Sequence, residues 1–437
     1  MTVKQTLLDR LSNRTATVGI VGLGYVGLPL AVEFAEVGFN VIGVDVTPSK
    51  VEKLNSGISY IPDIPTERVR PLIESGKLRA TTSYEDLRQA DAVSICVPTP
   101  LRKTKDPDMS FVIQAVEGTA SICHEGMLLV LESTTYPGTT QELIAPRLQH
   151  DGFVIGETVF VAFSPERIDP GNKTYGVRNT PKVVGGMTAA CTEAAMALYS
   201  AAVDQVIPVS SPSAAEMVKL LENTFRAVNI GLVNEMALMC DKLGVNVWEV
   251  IRAASSKPFG FMPFYPGPGL GGHCIPVDPH YLSWKLKALN YTARFIELAS
   301  QINTSMPEVV VEKVVAGLND DCKSVRGSKI VVLGVAYKRD IDDVRESPAL
   351  DVIGLLRQRG AAVQYHDFYV PQIRLENEQT MQSSPWTDAL LQDADCVVIV
   401  TDHTSYDWQQ VLEQCKLVVD TRNAVAGKQG KARVVTL

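Results

Sequence analysis

Long hydrophobic runs are missing from this 437-residue sequence. No apolar stretch reaches the roughly 18–20 residues that a membrane-spanning helix needs, and the first fifteen residues lack the apolar core of a signal peptide. Its eight cysteines are scattered, with no Cys-x-x-Cys pair, which is typical of free thiols in a reducing compartment. The sequence therefore predicts a cytoplasmic protein that does not enter membranes.

The sequence also has no excess of basic residues. The chain has 41 Lys and Arg against 49 Asp and Glu, a formal charge of −8. An acidic chain binds polyanions poorly, so nucleic acid is not an expected partner, although a local basic pocket for a phosphorylated small molecule is compatible with this charge. With 46% hydrophobic residues the chain is not disordered, and its length predicts two or three domains.

The strongest local pattern is a βαβ unit in residues 15–46. An apolar run over Val18–Val21 predicts a buried parallel strand, Leu28–Val37 predicts a helix, and Asn40–Val44 predicts a second strand. The strand-to-helix turn reads Gly22-Leu23-Gly24-Tyr25-Val26-Gly27. We interpret this unit as a dinucleotide-binding fold.

Each glycine of this turn, and the acidic residue that follows, has a structural role in dinucleotide binding. Gly22 makes the tight turn, Gly24 lets the backbone approach a pyrophosphate, and Gly27 lets the helix pack close to the sheet. Asp45 ends the second strand, where a carboxylate binds a ribose 2′-hydroxyl and repels a 2′-phosphate. The pattern predicts NAD rather than NADP as the cofactor.

Polar residues follow three further predicted strands, Ala92–Val97, Met127–Leu131 and Val159–Phe163. Ligands of open α/β sheets bind at the carboxyl ends of the strands. The candidate rim residues are therefore those of Pro98-Thr99-Pro100, Glu132-Ser133-Thr134-Thr135 and Ser164-Pro165-Glu166.

The middle of the chain is helical. Residues 213–240 lack proline and carry helical periodicity, with Gly231 as the one weak point, so they predict a helix about 42 Å long that links domains and forms a dimer face. In the last third, the strands predicted at Lys329–Leu333 and Ala362–Tyr365 indicate a second doubly wound domain, a distant repeat without the full glycine fingerprint.

The predicted fold class is α/β, with two Rossmann-like domains joined by a long helix and a helical middle domain. The boundaries we predict are 1–210 for the NAD domain, 211–318 for the helical domain and 319–437 for the last domain.

A cysteine lies in the glycine-rich segment 267–282. Cys274 is surrounded by four glycines and followed four residues later by Asp278; a chance surface thiol is the alternative. His273 and His280 flank it, but the spacing fits no standard zinc site, and we expect no metal. Together with a dinucleotide domain, a nucleophilic thiol suggests a dehydrogenase with a covalent thioester step.

Three polar residues of the long helix share a face, namely Lys219, Asn223 and Arg226. From spacing alone, a solvated helix face is the favoured interpretation.

The sequence resembles the UDP-glucose/GDP-mannose dehydrogenase family over nearly its whole length. The resemblance rests on seven segments in order: GLGYVGLPLA (22–31), VPTP (97–100), EST (132–134), FSPERIDPGN (163–172), EMVKLLENTFRAVNI (216–230), GLGGHCIPVD (269–278) and GVAYKRDIDDVRESPAL (334–350).

The resemblance implies oxidation of a hexose C6 alcohol to a carboxylate with two NAD⁺. Cys274 matches the family nucleophile, Lys219 the lysine that stabilises oxyanions at C6, and Asn223 its hydrogen-bonding partner. Asp278 and Thr134 match residues that hold the reactive water and help proton transfer.

The resemblance also implies binding roles. Glu166 matches a glutamate beside the active centre, Lys338 is expected at the substrate phosphates, and Arg345 at the cofactor or the cysteine region. The remaining candidates for the cofactor are Tyr25, Val26, Pro98 and Thr99, and those for the substrate are Arg167, Phe264, Tyr265 and Gly271. The partners implied are a UDP-sugar and a second copy of the chain, in a homodimer or a higher homo-oligomer.

Two departures bear on the substrate. Val277 stands where many UDP-glucose enzymes carry lysine, and Arg167 follows Glu166 where those enzymes carry phenylalanine. The second motif is similar to the branch that oxidises UDP-N-acetylglucosamine, which serves bacterial surface polysaccharides, with Arg167 on the N-acetyl carbonyl or a phosphate. The manno and galacto epimers, UDP-glucose, a two-electron enzyme and a non-catalytic binding protein are the alternatives.

Overall fold

The structure is a computed structural model that describes residues 2–102, 106–169, 171–172, 174–272, 274–375 and 378–437. The chain forms two compact units, each described here by itself. The first contains the chain up to Glu222 together with His280–Asn290, and the second contains Asn223–Pro279 and Tyr291–Leu437. The three-domain division stays a prediction.

The first unit is built on a twisted sheet whose strand order is β3-β2-β1-β4-β5-β6-β7-β8. Its strands are β1 (Thr17–Val21), β2 (Asn40–Val44), β3 (Leu78–Thr81), β4 (Ala92–Ile95), β5 (Leu128–Leu131), β6 (Phe160–Phe163), β7 (Lys182–Gly186) and β8 (Val206–Val209). Neighbouring strands pair in parallel, except that β6 and β7 run antiparallel. The order reverses between β1 and β4, which creates a crevice at their carboxyl ends.

Helices cover both faces of this sheet. They are α1 (Val3–Ser12), α2 (Gly27–Glu36), α3 (Pro48–Asn55), α4 (Thr66–Glu74), α5 (Ser110–Ala120), α6 (Ala145–His150) and α7 (Ala189–Tyr199). A 3₁₀ turn at Tyr84–Leu87 and a π-helical turn at Thr140–Ile144 complete the unit. Alternate residues of the strands enter separate apolar cores above and below the sheet, as a doubly wound fold requires.

The long helix α8 runs over Pro212–Leu243. At 32 residues it is longer than predicted, and at 1.5 Å per residue it spans about 48 Å. Gly231 is not a weak point, because a Cβ there would lie 3.2 Å from Cα of Ala299. The missing side chain lets the following long helix pack closely.

The second unit has its own parallel sheet, in the order β10-β9-β13-β14-β15, and a separate hairpin of β11 and β12. The strands are β9 (Lys329–Leu333), β10 (Ala362–His366), β11 (Gln372–Arg374), β12 (Thr380–Gln382), β13 (Cys396–Ile399), β14 (Leu417–Asp420) and β15 (Arg433–Thr436). The remaining helices are α9 (Val247–Ala254), α10 (Asp278–Lys287), α11 (Arg294–Asp320), α12 (Pro348–Gln358), α13 (Asp388–Gln392) and α14 (Trp408–Gln414). Because the order reverses between β9 and β13, this sheet also has a crevice at its carboxyl edge.

The predicted fold class is confirmed. The strands expected at Asn40–Val44 and Lys329–Leu333 occur with those bounds. The strand expected to reach Val97 ends at Ile95, and the chain beyond it contains Pro98 and Pro100, which have no N–H to donate to a neighbouring strand. Within the described residues, no helix combines the length and apolarity needed to cross a membrane.

Candidate active site

The turn after β1 has the geometry of a nucleotide-binding loop. Gly22 has φ +93°, and a Cβ there would lie 2.6 Å from the carbonyl oxygen of Cys96. A Cβ on Gly27 would lie 1.8 Å from the carbonyl oxygen of Gly22, so this glycine lets α2 start against the turn. At Gly24 a Cβ would meet no atom within 4 Å. This open cradle at the start of a helix fits a pyrophosphate.

Other predicted cofactor residues surround this crevice. Tyr25 and Val26 are half-buried at the start of α2, for which Val26 is the N-cap. Pro98 is exposed after β4, and the carbonyl of Thr99 accepts a 2.7 Å hydrogen bond from the Tyr281 hydroxyl.

Asp45 holds the glycine turn from the end of β2. One carboxylate oxygen accepts from the N–H of Leu23 at 3.0 Å and from Lys50 at 3.3 Å, and the other accepts from the N–H of Thr47 at 2.9 Å. Burial alone would raise the pKa of Asp45, but these donors outweigh burial and hold the pKa below its usual value. The carboxylate is thus ionised, and it lies at the strand end where a ribose hydroxyl binds in dinucleotide folds.

A buried charge cluster lies at the carboxyl ends of β5 and β6. Lys182 donates to Glu132 at 2.5 Å and to Glu166 at 3.0 Å, and the Tyr199 hydroxyl donates to Glu132. Glu166 also accepts from the N–H groups of Arg167 and Ile168, both at 2.7 Å. The Glu166 carboxylate is therefore held in one orientation.

The two carboxylates of this cluster differ electrostatically. Burial raises the pKa of Glu132, despite its bond to Lys182. Burial also acts on Glu166, but Lys182, the Ile168 N–H and the charge of Lys219 together lower its pKa. A proton added to the cluster would therefore go to Glu132, while Glu166 stays a fixed negative charge.

Lys219 is nearly buried on α8, with 8% of its surface exposed. Among the residues that the structure describes, its ammonium makes neither a hydrogen bond nor an ion pair. A buried cation without such a partner is able to receive an anionic ligand group. Thr134 is half-buried after β5.

Arg167 is engaged within the first unit. Its guanidinium donates to Glu222 at 2.5 and 3.3 Å and to the carbonyl of Pro181 at 2.7 Å. These bonds occupy part of the hydrogen-bonding capacity that contact with a sugar N-acetyl group would require.

In the second unit, two predicted catalytic residues are in direct contact. The Asn223 amide donates to Asp278 at 2.5 Å, and both side chains are buried. The carbonyl of Cys274 accepts from the N–H of Val277 at 3.0 Å and from that of Asp278 at 2.7 Å. The cysteine turn and the start of α10 are thus fixed to α8, with Cys274 half-buried.

The glycines before Cys274 allow close contacts with other parts of the protein. The sequence suggested instead that they allow the close approach of a ligand. A Cβ on Gly271 would lie 2.5 Å from Cβ of Tyr337, and the N–H of Gly272 donates to the carbonyl of Arg345 at 2.9 Å. The cysteine segment therefore packs directly on the loop after β9.

Aromatic contacts order the loop that precedes these glycines. Phe264 meets the ring of Phe225 edge-on at 5.7 Å, and Tyr265 stacks on Trp248 at 6.2 Å while staying 55% exposed. His273 lies outside the described residues.

The loop after β9 carries Lys338, which is half-buried, and Arg345, whose guanidinium is paired with Asp343 at 2.6 Å. Asp367 at the end of β10 corresponds to Asp45 of the first unit. It accepts from the N–H groups of Val335 at 2.7 Å and Ala336 at 3.2 Å. In both units, therefore, a carboxylate at the end of the second strand binds the loop that borders the crevice.

Sequence reasoning missed Lys182. A lysine at the start of a valine-rich strand carries no chemical signal. Only the antiparallel pairing in which Phe163 lies opposite Gly185 brings Lys182 beside Glu166.

Comparisons with known proteins match most of the chain to one family. Family models of the UDP-glucose/GDP-mannose dehydrogenases match residues 16–203 as the NAD-binding domain, 213–305 as the central domain and 331–427 as the UDP-binding domain.

Full-length relatives agree. The UDP-N-acetyl-D-mannosamine dehydrogenase of Pyrococcus horikoshii is 35% identical, over 93% of this chain and 96% of its own. An NDP-N-acetyl-D-galactosaminuronic acid dehydrogenase of Ralstonia nicotianae is 36% identical, over 94% and 97%. The solved structure of UDP-D-ManNAc dehydrogenase from P. horikoshii superposes with a TM-score of 0.88 at 33% identity, covering 96% of this chain and 98% of that chain.

These findings define an NAD-dependent oxidoreductase that acts on the CH–OH group of a UDP-sugar. The chain belongs to the UDP-glucose/GDP-mannose dehydrogenase family.

Replacing Gly24 tests the cofactor cradle. Gly24→Ala adds a methyl group where the protein leaves room, so we expect unchanged folding but NAD⁺ binding weakened at least about tenfold, or about 1.4 kcal/mol. Gly176→Ala is the matched control, because that exposed glycine also has open space at its Cβ. Titration of NAD⁺ by calorimetry measures both variants, and unchanged affinity in Gly24→Ala would contradict the placement of the pyrophosphate.

Proposed function

We propose that this enzyme oxidises the C6 hydroxyl of a UDP-2-acetamido-2-deoxyhexose to the carboxylate, through a thioester on Cys274. The observation that carries the proposal is the buried Asn223–Asp278 hydrogen bond, with the Cys274 carbonyl capping the same turn. Two side chains 55 residues apart, each matching a family catalytic position, are joined at the turn that carries the candidate nucleophile.

The proposed reaction balances as RCH₂OH + 2 NAD⁺ + H₂O → RCOO⁻ + 2 NADH + 3 H⁺. NAD⁺ supplies the hydride acceptor for both oxidations when bound at the Gly22–Gly27 turn. At the aldehyde stage, the Cys274 sulfur adds to C6 and gives a thiohemiacetal, whose oxidation leaves a thioester. Water then cleaves the C6–S bond, which releases the carboxylate and restores the thiol.

The charged residues have distinct roles in this proposal. Lys219 stabilises negative charge on the C6 oxygen, which is supported by its burial and by the lack of a hydrogen-bond or ion-pair partner among the described residues. Glu166 already accepts three hydrogen bonds, from Lys182 and from the N–H groups of Arg167 and Ile168. We therefore assign it a fixed negative charge that acts electrostatically on Lys219, in place of proton transfer.

Asp278 and Thr134 are proposed to hold the hydrolytic water. Asn223 donates to one oxygen of Asp278 at 2.5 Å, and a carboxylate held in one orientation is suited to orient water. Lys338 is proposed at the diphosphate and Arg345 at the cofactor. Phe264 and Tyr265 form the proposed apolar wall around the substrate.

The identity of the amino sugar is the finer part of the proposal. We take UDP-N-acetylmannosamine as the first candidate, because relatives of that name from P. horikoshii and Escherichia coli are 35% and 37% identical to the chain. The motif around Arg167 predicted UDP-N-acetylglucosamine instead. The bonds of Arg167 to Glu222 and Pro181 weaken the argument from that residue.

A substrate panel tests the function. NADH formation is followed with UDP-N-acetylmannosamine, its gluco and galacto epimers, and UDP-glucose offered separately. We expect turnover of a 2-acetamido sugar with two NADH per sugar, because the thioester route oxidises the same carbon twice. One NADH per sugar would indicate a two-electron enzyme. No NADH with any sugar would indicate a non-catalytic binding protein.

Replacing Lys219 tests oxyanion stabilisation. Lys219→Met is expected to lower kcat about 10²–10³-fold, the loss typical of one oxyanion donor, with NAD⁺ affinity unchanged. Lys242→Met, at an exposed position of the same helix, is the control and is expected to keep wild-type kcat. Normal turnover by Lys219→Met would rule out the assigned role.

We also propose a homodimer formed through α8. Apolar side chains spaced by three, four or seven residues form one exposed stripe of this helix. Its members are Leu221, Phe225, Leu232, Met236, Met239 and Leu243, between 38% and 75% exposed. Such a surface is typical of an interface, and the family resemblance implies a second copy as its occupant.

Sedimentation velocity tests the dimer. Leu232→Lys places a charge in the middle of the stripe and is expected to give monomers, whereas Phe111→Lys, at an exposed position of α5, is expected to leave dimers. A monomeric wild-type protein at micromolar concentration would contradict the proposal.

A further inference from the structure

The loop after β9 is held along its length by the segment that follows β13. The Thr401 hydroxyl donates to the carbonyl of Ala336 at 2.6 Å, and the N–H of Gly334 donates to the Tyr406 hydroxyl at 3.1 Å. The backbone conformation of residues 334–340, which include Lys338, thus depends on contacts with residues 401–406.

His403 is the central contact between these two segments. It is fully buried, its Nδ1 accepts from the N–H of Asp340 at 2.9 Å, and its Nε2 lies 2.9 Å from Asp367. Because the N–H of Asp340 donates to Nδ1, that nitrogen is the acceptor, and Nε2 carries a proton that it donates to the carboxylate. One imidazole therefore joins the strand-end carboxylate of β10 to the far end of the loop.

The loop needs this support at Asp340. That residue has φ +61°, a left-handed conformation that a non-glycine residue adopts at some cost. Its carboxylate accepts from the N–H and hydroxyl of Thr404 at 2.8 and 2.9 Å. Lys338 lies only two residues before this bend, so a change in the bend would move the lysine.

Asp367 has no capacity to spare for a ribose. Besides His403, its oxygens accept from the N–H groups of Val335, Ala336, Tyr369 and Val370. A carboxylate offers about four good acceptor positions, and here all are used. In the second unit the strand-end carboxylate therefore serves the loop.

We propose that His403 is a positioning residue for the UDP moiety of the substrate, acting through the loop that carries Lys338. This inference rests on the proposed function, in which Lys338 binds the diphosphate. His403 touches neither substrate nor cofactor. Its role is to hold the N–H of Asp340 and the carboxylate of Asp367 at a fixed separation.

Two substitutions separate this role from general packing. His403→Phe keeps a ring but removes both nitrogen contacts, whereas His403→Asn restores one acceptor and one donor. By calorimetry we expect His403→Phe to weaken UDP binding at least about tenfold, with NAD⁺ binding unchanged, and His403→Asn to recover most of the loss. In turnover, KM for the UDP-sugar rises while kcat changes little.

Val411→Ala is the matched control. Val411 is fully buried in α14 of the same unit, so its truncation leaves a cavity and removes no hydrogen bond to the loop. Unchanged UDP affinity in His403→Phe, or an equal loss in Val411→Ala, would overturn the positioning role. If the wild-type protein does not bind UDP, the proposed function is wrong, and the role proposed for His403 is wrong as well.

Discussion

The hydrogen bond between Asn223 and Asp278 is the constraint on which the proposed chemistry depends. It joins the long helix α8 to the turn that carries Cys274, and the carbonyl of that cysteine accepts the N–H of Asp278 in return. A thiol on an untethered glycine-rich loop would be too mobile to attack one carbon reproducibly. Here the glycines are packed against the loop after β9, as the short distance from Gly271 to Tyr337 shows, so the loop is ordered by protein contacts.

The two units use the same device for different ligands. In each, a carboxylate at the end of the second strand binds the backbone N–H groups of the loop after the first strand, Asp45 in one and Asp367 in the other. The difference lies in what else each carboxylate binds. Asp45 accepts from Lys50 as well and stands beside a glycine turn with open space at Gly24, which suits a dinucleotide. Asp367 is saturated, partly by His403, and its unit matches the family's UDP-binding domain.

Features that depend on residues close together in the sequence could be predicted from the sequence. The Gly22–Gly27 turn, Asp45 and the strands around them follow from local pattern, and the fold class followed from repeating that pattern. The cluster around Lys182 could not be predicted, because it arises from an antiparallel pairing between distant segments. His403 was missed for a similar reason, since its partners Asp340 and Asp367 are set by the order of parallel strands. The catalytic roles came from family resemblance, since spacing alone left Lys219 and Asn223 as an ordinary polar helix face.

The central claim is the covalent thioester on Cys274. The most direct measurement is mass spectrometry of enzyme quenched in acid during turnover with NAD⁺ and UDP-N-acetylmannosamine, or the epimer that the protein oxidises. The account predicts an acyl adduct on the peptide that contains Cys274, more abundant in Asp278→Asn because hydrolysis is slowed, and absent in Cys274→Ser. Formation of the uronate at a normal rate by Cys274→Ser, with no adduct in the wild-type enzyme, would contradict it.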